Sequence, residues 1–241
     1  MCFNASLAQK AEILEKMFNA HIDDNNLKNV YFQSAFALPF WPVLKTEEPS
    51  RFQFLQWGLI PYWEKNIEMA NQIRFKTLNA RFETLNEKPS YRHSADNKRC
   101  GVVVDGYFEW KEVDGKKHPY YLHMPDKSPF LLAGIWDRWI DRGNNDIFET
   151  FSVVTTNAEG LAEEVHNTKK RMPFILDKKN MSIWMDKDKK FNDIRVKISP
   201  SWKNLQSHPV SKLLTSRTKE TNVPEVQNLK KTCYNSKYEQ S

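Results

Sequence analysis

The chain has 241 residues, 40% of them hydrophobic and 13% aromatic, which is enough for a sizeable core and excludes a wholly disordered chain. No apolar run approaches the ~18–20 residues that cross a bilayer, and three cysteines, an odd count, exclude a disulfide framework. With 36 Lys and Arg against 30 Asp and Glu, the formal charge of +6 suits a polyanionic partner without demanding one.

The first ten residues, MCFNASLAQK, lack the basic and apolar segments of a signal peptide, so a reducing cytoplasm is expected. Residues 5–20 carry Leu7, Ala11, Leu14 and Phe18 at helical spacing, with Ser6 and Gln9 as a capping box. This predicts an amphipathic helix, with Cys2 on a short, nearly free lead into it. Residues 31–38 and 51–57 read as strands, and the proline-rich stretch between them reads as a loop. WGLIPYW at 57–63 is too rich in Gly and Pro for a regular element. From Cys100 an apolar run with Val102, Val103 and Val104 passes through Asp105-Gly106 to Trp110. Val113-Asp114-Gly115 is a hairpin turn leading to a strand at 119–124. Strands follow at 130–138 and 148–156 around a polar loop at 141–146, and a short helix at 158–165 leads into His166. Beyond residue 216 the chain is polar, and its last dozen residues are expected to be mobile. The expectation is one α+β domain over 1–215, a mainly antiparallel sheet or open barrel with flanking helices, and a polar tail over 216–241.

Four segments could carry chemistry. Removal of Met1 would give Cys2 both a thiol and a free α-amine, whose ordinary pKa of about 7.7–8.0 leaves part of it neutral and nucleophilic. Such an aminothiol condenses with an aldehyde to an imine and closes to a five-membered thiazolidine. Cys100, in a valine-rich strand, and Cys233 read as structural or incidental. In Asn79-Ala80-Arg81-Phe82-Glu83-Thr84, Arg81 could grip a phosphate, or simply pair with Glu83 at the surface. Glu109, between Phe108 and Trp110, would have a raised pKa if desolvated against those rings; otherwise it faces water on a half-exposed strand. His166 precedes Lys169, Lys170 and Arg171, an acid–base group beside phosphate-attracting charge. The sequence shows no metal-ligand spacing, phosphate loop or nucleophile elbow, and no cofactor is expected.

Taken in order, these segments resemble the SRAP family, the SOS response-associated peptidases that also process abasic sites. The resemblance runs from Met1-Cys2 through Trp57-Gly58-Leu59-Ile60-Pro61, Asn79-Ala80-Arg81 and Asp105-Gly106-Tyr107-Phe108-Glu109-Trp110. It continues in Ala133-Gly134-Ile135-Trp136, Thr155-Thr156, Arg171-Met172-Pro173 and His208-Pro209-Val210-Ser211. It implies a protein that removes its own Met1 and then reacts through Cys2 with the aldehyde of an abasic site in single-stranded DNA, with possible lyase activity; a monomer is expected. By motif, Asn79 would position the N-terminus and the sugar, Glu109 would handle protons at the amine, and His166 would assist opening of the deoxyribose. Arg81 and Arg171 would contact phosphate, and Trp57 and Trp110 would stack on bases or shape the DNA channel. Two departures stand out. Phe3-Asn4 replaces the family's usual Gly-Arg after the cysteine, and four residues separate His166 from Arg171 where the family usually has one. The longer turn is expected to bulge outward and leave His166 near Cys2 and Glu109. The competing readings are a cysteine peptidase acting on other proteins and a single-strand-binding module indifferent to lesions.

Overall fold

β-Branched and aromatic residues in short alternating runs carry most of this chain into strands. The computed structural model describes residues 2–23, 25–216 and 218–230. In chain order the elements are β1 (Asn4–Leu7), α1 (Ala11–Phe18), β2 (Val30–Ser34), β3 (Phe40–Lys45), β4 (Phe52–Trp57), α2 (Ile67–Arg74) and β5 (Asn79–Arg81). There follow α3 (Arg92–Asn97), β6 (Arg99–Val104), β7 (Gly106–Val113), β8 (Lys116–His123), β9 (Phe130–Ile140) and β10 (Ile147–Asn157). The chain then forms α4 (Leu161–Val165), β11 (Arg171–Pro173), β12 (Ile175–Leu176), α5 (Lys178–Trp184), α6 (Phe191–Arg195) and β13 (Gln206–Pro209). The class is α+β, as expected, and no helix among the described residues is long and apolar enough to cross a membrane.

The strands form two sheets. In the larger, β10, β4, β3, β6 and β9 are neighbours in that order, and β9 pairs back onto β10 from Val153↔Gly134 to Ile147↔Ile140. The ladder therefore closes into a five-stranded barrel, which leaves no edge within the ring. Its walls bury Trp41, Val43, Trp57, Val102, Leu132 and Phe151, each at most 1% exposed. A side chain at Gly134 would sit 2.7 Å from Val102 and 2.8 Å from the Cys100 sulfur, so glycine permits the close approach of β9 and β6. The second sheet is open and antiparallel, in the order β13-β8-β7-β1-β2. Its β7–β8 hairpin turns where expected, with Asp114 and Gly115 both at positive φ, 50° and 69°.

Three expectations are corrected. The helix at the start begins only at Ala11, and Ser6 and Leu7 lie in β1. Instead of capping a helix, the Ser6 hydroxyl donates to Asp105 Oδ1 at 2.5 Å, and the Ala8 amide donates to Oδ2 at 2.6 Å. One buried carboxylate thereby holds the first strand against β7, and Cys2 is fully buried rather than on a free lead. The proline-rich stretch after residue 38 contains β3, a barrel strand; Pro42 pairs with Phe54 of β4 just before pairing to β6 begins at Val43. A strand residue without an N–H is tolerated there because its second side has no ladder to feed. Part of the supposed tail also belongs to the body. Asn222 accepts from the Tyr31 amide at 2.7 Å, Val226 is fully buried against Phe108, and the Lys230 amide donates to Pro209 O at 2.8 Å. The expected mobility of the last dozen residues, and Cys233 among them, lie outside the described residues.

Candidate active site

The site is assembled by β1 lying antiparallel to β7, in the register Ala5↔Tyr107 and Ser6↔Gly106. Following that register two residues back brings the start of the chain beside Glu109. Along β7 the side chains alternate, so Tyr107 and Glu109 share one face while Phe108 and Trp110 share the other. Phe108 and Trp110 pack with Tyr31, Phe32 and Val226. The burial of Glu109 therefore comes from the Tyr107 face and the start of the chain, not from its two aromatic neighbours in sequence.

Cys2, Tyr107 and Glu109 form a buried cluster. Burial pushes the Cys2 thiol far above its ordinary range, and the negative charge of Glu109 adds to the rise. Burial likewise raises the Glu109 carboxyl to about 7. The Tyr107 hydroxyl, driven up by burial and then by Glu109, has no hydrogen-bond partner among the described residues. A thiol beside a carboxyl that titrates near neutrality is equipped for proton transfer within the cluster. Tyr107 escaped the sequence reading, although its i, i+2 relation to Glu109 was the available signal.

His166 ends α4, which packs on β7, and its Nδ1 lies 3.8 Å from Glu109 Oε2. Nδ1 also lies 2.7 Å from the Arg171 carbonyl. A carbonyl can only accept, so Nδ1 carries the proton and Nε2 is the basic nitrogen of the neutral ring. Burial lowers the His166 pKa, favouring that neutral form. The four-residue turn, three residues longer than usual for the family, does face outward. Asn167 to Lys170 are exposed, Lys170 closes the turn on His166 O at φ 48°, and Asn167 clamps both backbone groups of Glu112. Glu109, Trp110 and His166 line a cleft of about 270 Å³, together with Phe3, Lys117 and Lys169.

Asn79 and Arg81 stand on β5, which runs parallel to β10 with Val153↔Asn79 and Thr155↔Arg81 in register. They line a different cleft, of about 570 Å³, with Lys76, Lys88, Tyr91 and Thr155. Both polar atoms of the Asn79 amide are buried without a partner among the described residues, a cost of about 1–3 kcal/mol that a bound polar group would relieve. Arg81 is exposed. Glu83 does not pair with it. Instead Glu83 receives Arg171 in a two-pronged contact, both bonds at 2.9 Å, while Arg171 also donates to Asn157 Oδ1 at 2.7 Å and Thr155 O at 2.8 Å. Arg171 is 6% exposed, so its expected phosphate contact is replaced by a structural brace between β11, β10 and Glu83. The expected DNA-facing role of Trp57 also fails. Its ring is fully buried, stacks on Phe151 at 5.5 Å and donates to Leu78 O at 2.8 Å, so it takes no base. Trp110 is half-buried at the smaller cleft. Cys100 is sealed in the barrel. No group of three or more metal-ligating side chains occurs among the described residues.

The profile of the SOS response associated peptidase family (SRAP) matches residues 1–217. The abasic site processing protein YoqW of Bacillus subtilis is 32% identical over 190 residues, covering 77% of this chain and 80% of its own length. The abasic site processing protein YMR114C of Saccharomyces cerevisiae is 36% identical over 139 residues, covering 57% of this chain and 35% of its own. The crystal structure of a protein from Bacteroides thetaiotaomicron superposes with a TM-score of 0.87 at 33% identity, over 95% of this chain and all of that one. With a match across nearly every described element and a buried cysteine, glutamate and histidine gathered at its start, the chain belongs to the SRAP family.

Proposed function

We propose that this protein acts on abasic sites in single-stranded DNA, joining itself to them through Cys2 once Met1 has been removed. The observation that carries the reading is the convergence of Cys2, Glu109 and His166 from three separate parts of the chain, with Cys2 buried beside Glu109 and with Glu109 and His166 lining one cleft. Removal of Met1 is a hydrolysis in which the Cys2 thiol attacks the Met1 carbonyl and water then releases methionine. This frees the α-amine and restores the thiol. Abasic deoxyribose is largely a closed hemiacetal. Neutral His166 takes its hydroxyl proton and returns one to the ring oxygen as the C–O bond breaks, which exposes the aldehyde. The amine adds to that aldehyde and loses water to give the imine. The thiol then adds across the C=N bond, its proton passing to nitrogen, and the thiazolidine closes. Glu109, titrating near neutrality, moves protons at the amine and the leaving hydroxyl.

The Asn79 amide is suited to hold the sugar or the N-terminus, and Arg81 to hold a phosphate beside the lesion. Lys117 and Lys169 add positive charge at the mouth of the smaller cleft, and half-buried Trp110 offers a ring edge there. The protein is read as a cytoplasmic monomer, with reversal of the adduct as its lyase activity. Intact mass after incubation with an abasic oligonucleotide tests the proposal. The expected product weighs one oligonucleotide more than the Met1-processed protein, less one water. An unchanged protein mass, or an equal adduct on an oligonucleotide without the lesion, would overturn it.

A further inference from the structure

Outside this site, at the far end of the open sheet, β13 runs antiparallel to β8 and sets two histidines against each other. His123 Nε2 and His208 Nδ1 are 3.3 Å apart. The other nitrogen of each ring is engaged by a backbone carbonyl: His123 Nδ1 with Met124 O at 2.6 Å, and His208 Nε2 with Gln227 O at 2.7 Å. A carbonyl only accepts, so each of those nitrogens carries the ring proton. In the neutral rings, His123 Nε2 and His208 Nδ1 are consequently both bare, and two lone pairs face one another. That arrangement requires a cation between them, either a proton or a metal ion.

Geometry separates the two. A charge-assisted hydrogen bond draws its heavy atoms to about 2.7–2.9 Å, shorter than the spacing here. A tetrahedral zinc ion about 2.0–2.1 Å from each of two imidazoles sets their nitrogens roughly 3.3 Å apart. The ring centroids are 5.2 Å apart with planes 67° to each other, closer than two rings meeting in line through their nitrogens would be. The rings thus bend toward a shared third point. Each ring also donates its remote N–H to a carbonyl, the pattern that orients histidine ligands to metals. Tyr121 stacks on His123 at 5.2 Å and 23°, which fixes that ring further.

We infer that His123 and His208 form a two-histidine site for a borderline divalent metal ion of the zinc and copper class, with water completing the coordination. Half-buried His208 admits that water, whereas His123 is 6% exposed. The ion would clasp β8 to β13 and, through the Gln227 carbonyl, to the segment that packs on β2. Eighty-five residues separate the two histidines in the chain, so no sequence spacing reveals them.

Zinc uptake by the full-length protein tests the site, measured by calorimetry and thermal unfolding on the Cys2→Ala background so that the buried thiol cannot compete. The expected result is one equivalent bound and a Tm rise of about 5 °C or more at hundredfold excess over Kd. Both should be lost in His123→Phe and in His208→Phe and kept in His118→Ala. Zinc binding that survives either phenylalanine variant would overturn the site. Should those variants fail to fold, imidazole ¹⁵N spectra of the parent protein decide. Zinc must move the His123 Nε2 and His208 Nδ1 resonances before those of any other histidine. A proton shared between the two that zinc does not displace would equally overturn the inference.

Discussion

The closed barrel and the open sheet each bury one cysteine completely, and burial pushes both thiols far above their ordinary range. Cys100 sits on β6 against the β9 backbone, where Gly134 leaves just enough room for its sulfur, and the surrounding walls are largely valine, leucine and aromatic carbon. Cys2 sits where the start of the chain crosses β7, beside a carboxyl that titrates near 7 and a tyrosine hydroxyl without a partner among the described residues. Burial alone therefore does not mark a reactive cysteine. Cys100 also feels the charges of Lys45 and Glu47. What separates the two is that Cys2 adjoins a buried carboxyl titrating near 7 with His166 beside it, and the open sheet supplies that pair because its strands need not close around an apolar interior. The barrel gives rigidity, and the proposed chemistry gathers on the sheet with an edge.

This contrast can be broken outright by exchanging the cysteines. Cys2→Ala is expected to abolish any adduct that survives denaturing gels, whereas Cys100→Ala should leave adduct yield unchanged. A heat-stable adduct on Cys2→Ala would end the distinction between the two sites.

The next largest effects concern the proton-handling pair. His166→Ala and Glu109→Gln are each expected to slow crosslinking by ~10²–10⁴ at saturating DNA without weakening single-strand binding. Single-turnover rates in both variants measure this, and a rate equal to wild type would remove that residue from the chemistry. Glu109 also makes a pH prediction. Its carboxyl is raised from 4.5 to about 7 in the folded protein, so folding favours the protonated form. The associated stability is complete below about 4.5 and is lost as pH rises through 7, amounting to roughly 3 kcal/mol. Glu109→Gln should accordingly match wild type in thermal unfolding at pH 4 and exceed it at pH 8. As a base, Glu109 should also make the wild-type crosslinking rate climb through pH 7.

Two arginines sharpen the comparison at a smaller scale. Arg171 is buried and braced by Glu83, so Arg171→Ala should cost about 2–3 kcal/mol, less than a fully buried pair because Glu83 is partly exposed. Urea unfolding would show that loss, with the salt dependence of DNA binding unaltered. Arg81, exposed on β5, should behave in the opposite way. Arg81→Ala is expected to leave stability alone and to flatten the log–log salt slope of single-strand binding by roughly 0.7. An unchanged slope would make Arg81 a bystander.

Much of this molecule was legible from residues that act locally. The Asp114-Gly115 turn, the β6 valines and the strands on either side of the 141–146 loop all formed where local preference places them. The errors fell where a distant partner overruled a local signal. Helical spacing through Leu7 lost to the pairing of β1 with β2 and β7, and Ser6 found Asp105 rather than a helix end. The prolines around β3 signalled a loop, but β4 and β6 supplied the ladder that drew it into the barrel.

By itself the sequence determined the fold class and the family, because strand propensity, turn chemistry and ordered motifs are properties of neighbours along the chain. It could not say that Arg171 would be consumed by Glu83, that Trp57 would be buried, or that Tyr107 would join Cys2 and Glu109. Nor could it bring His123 to His208. Those outcomes depend on which groups share a wall and which are sealed from water. Desolvation and hydrogen-bond partners exist only once strands far apart in the chain have packed together.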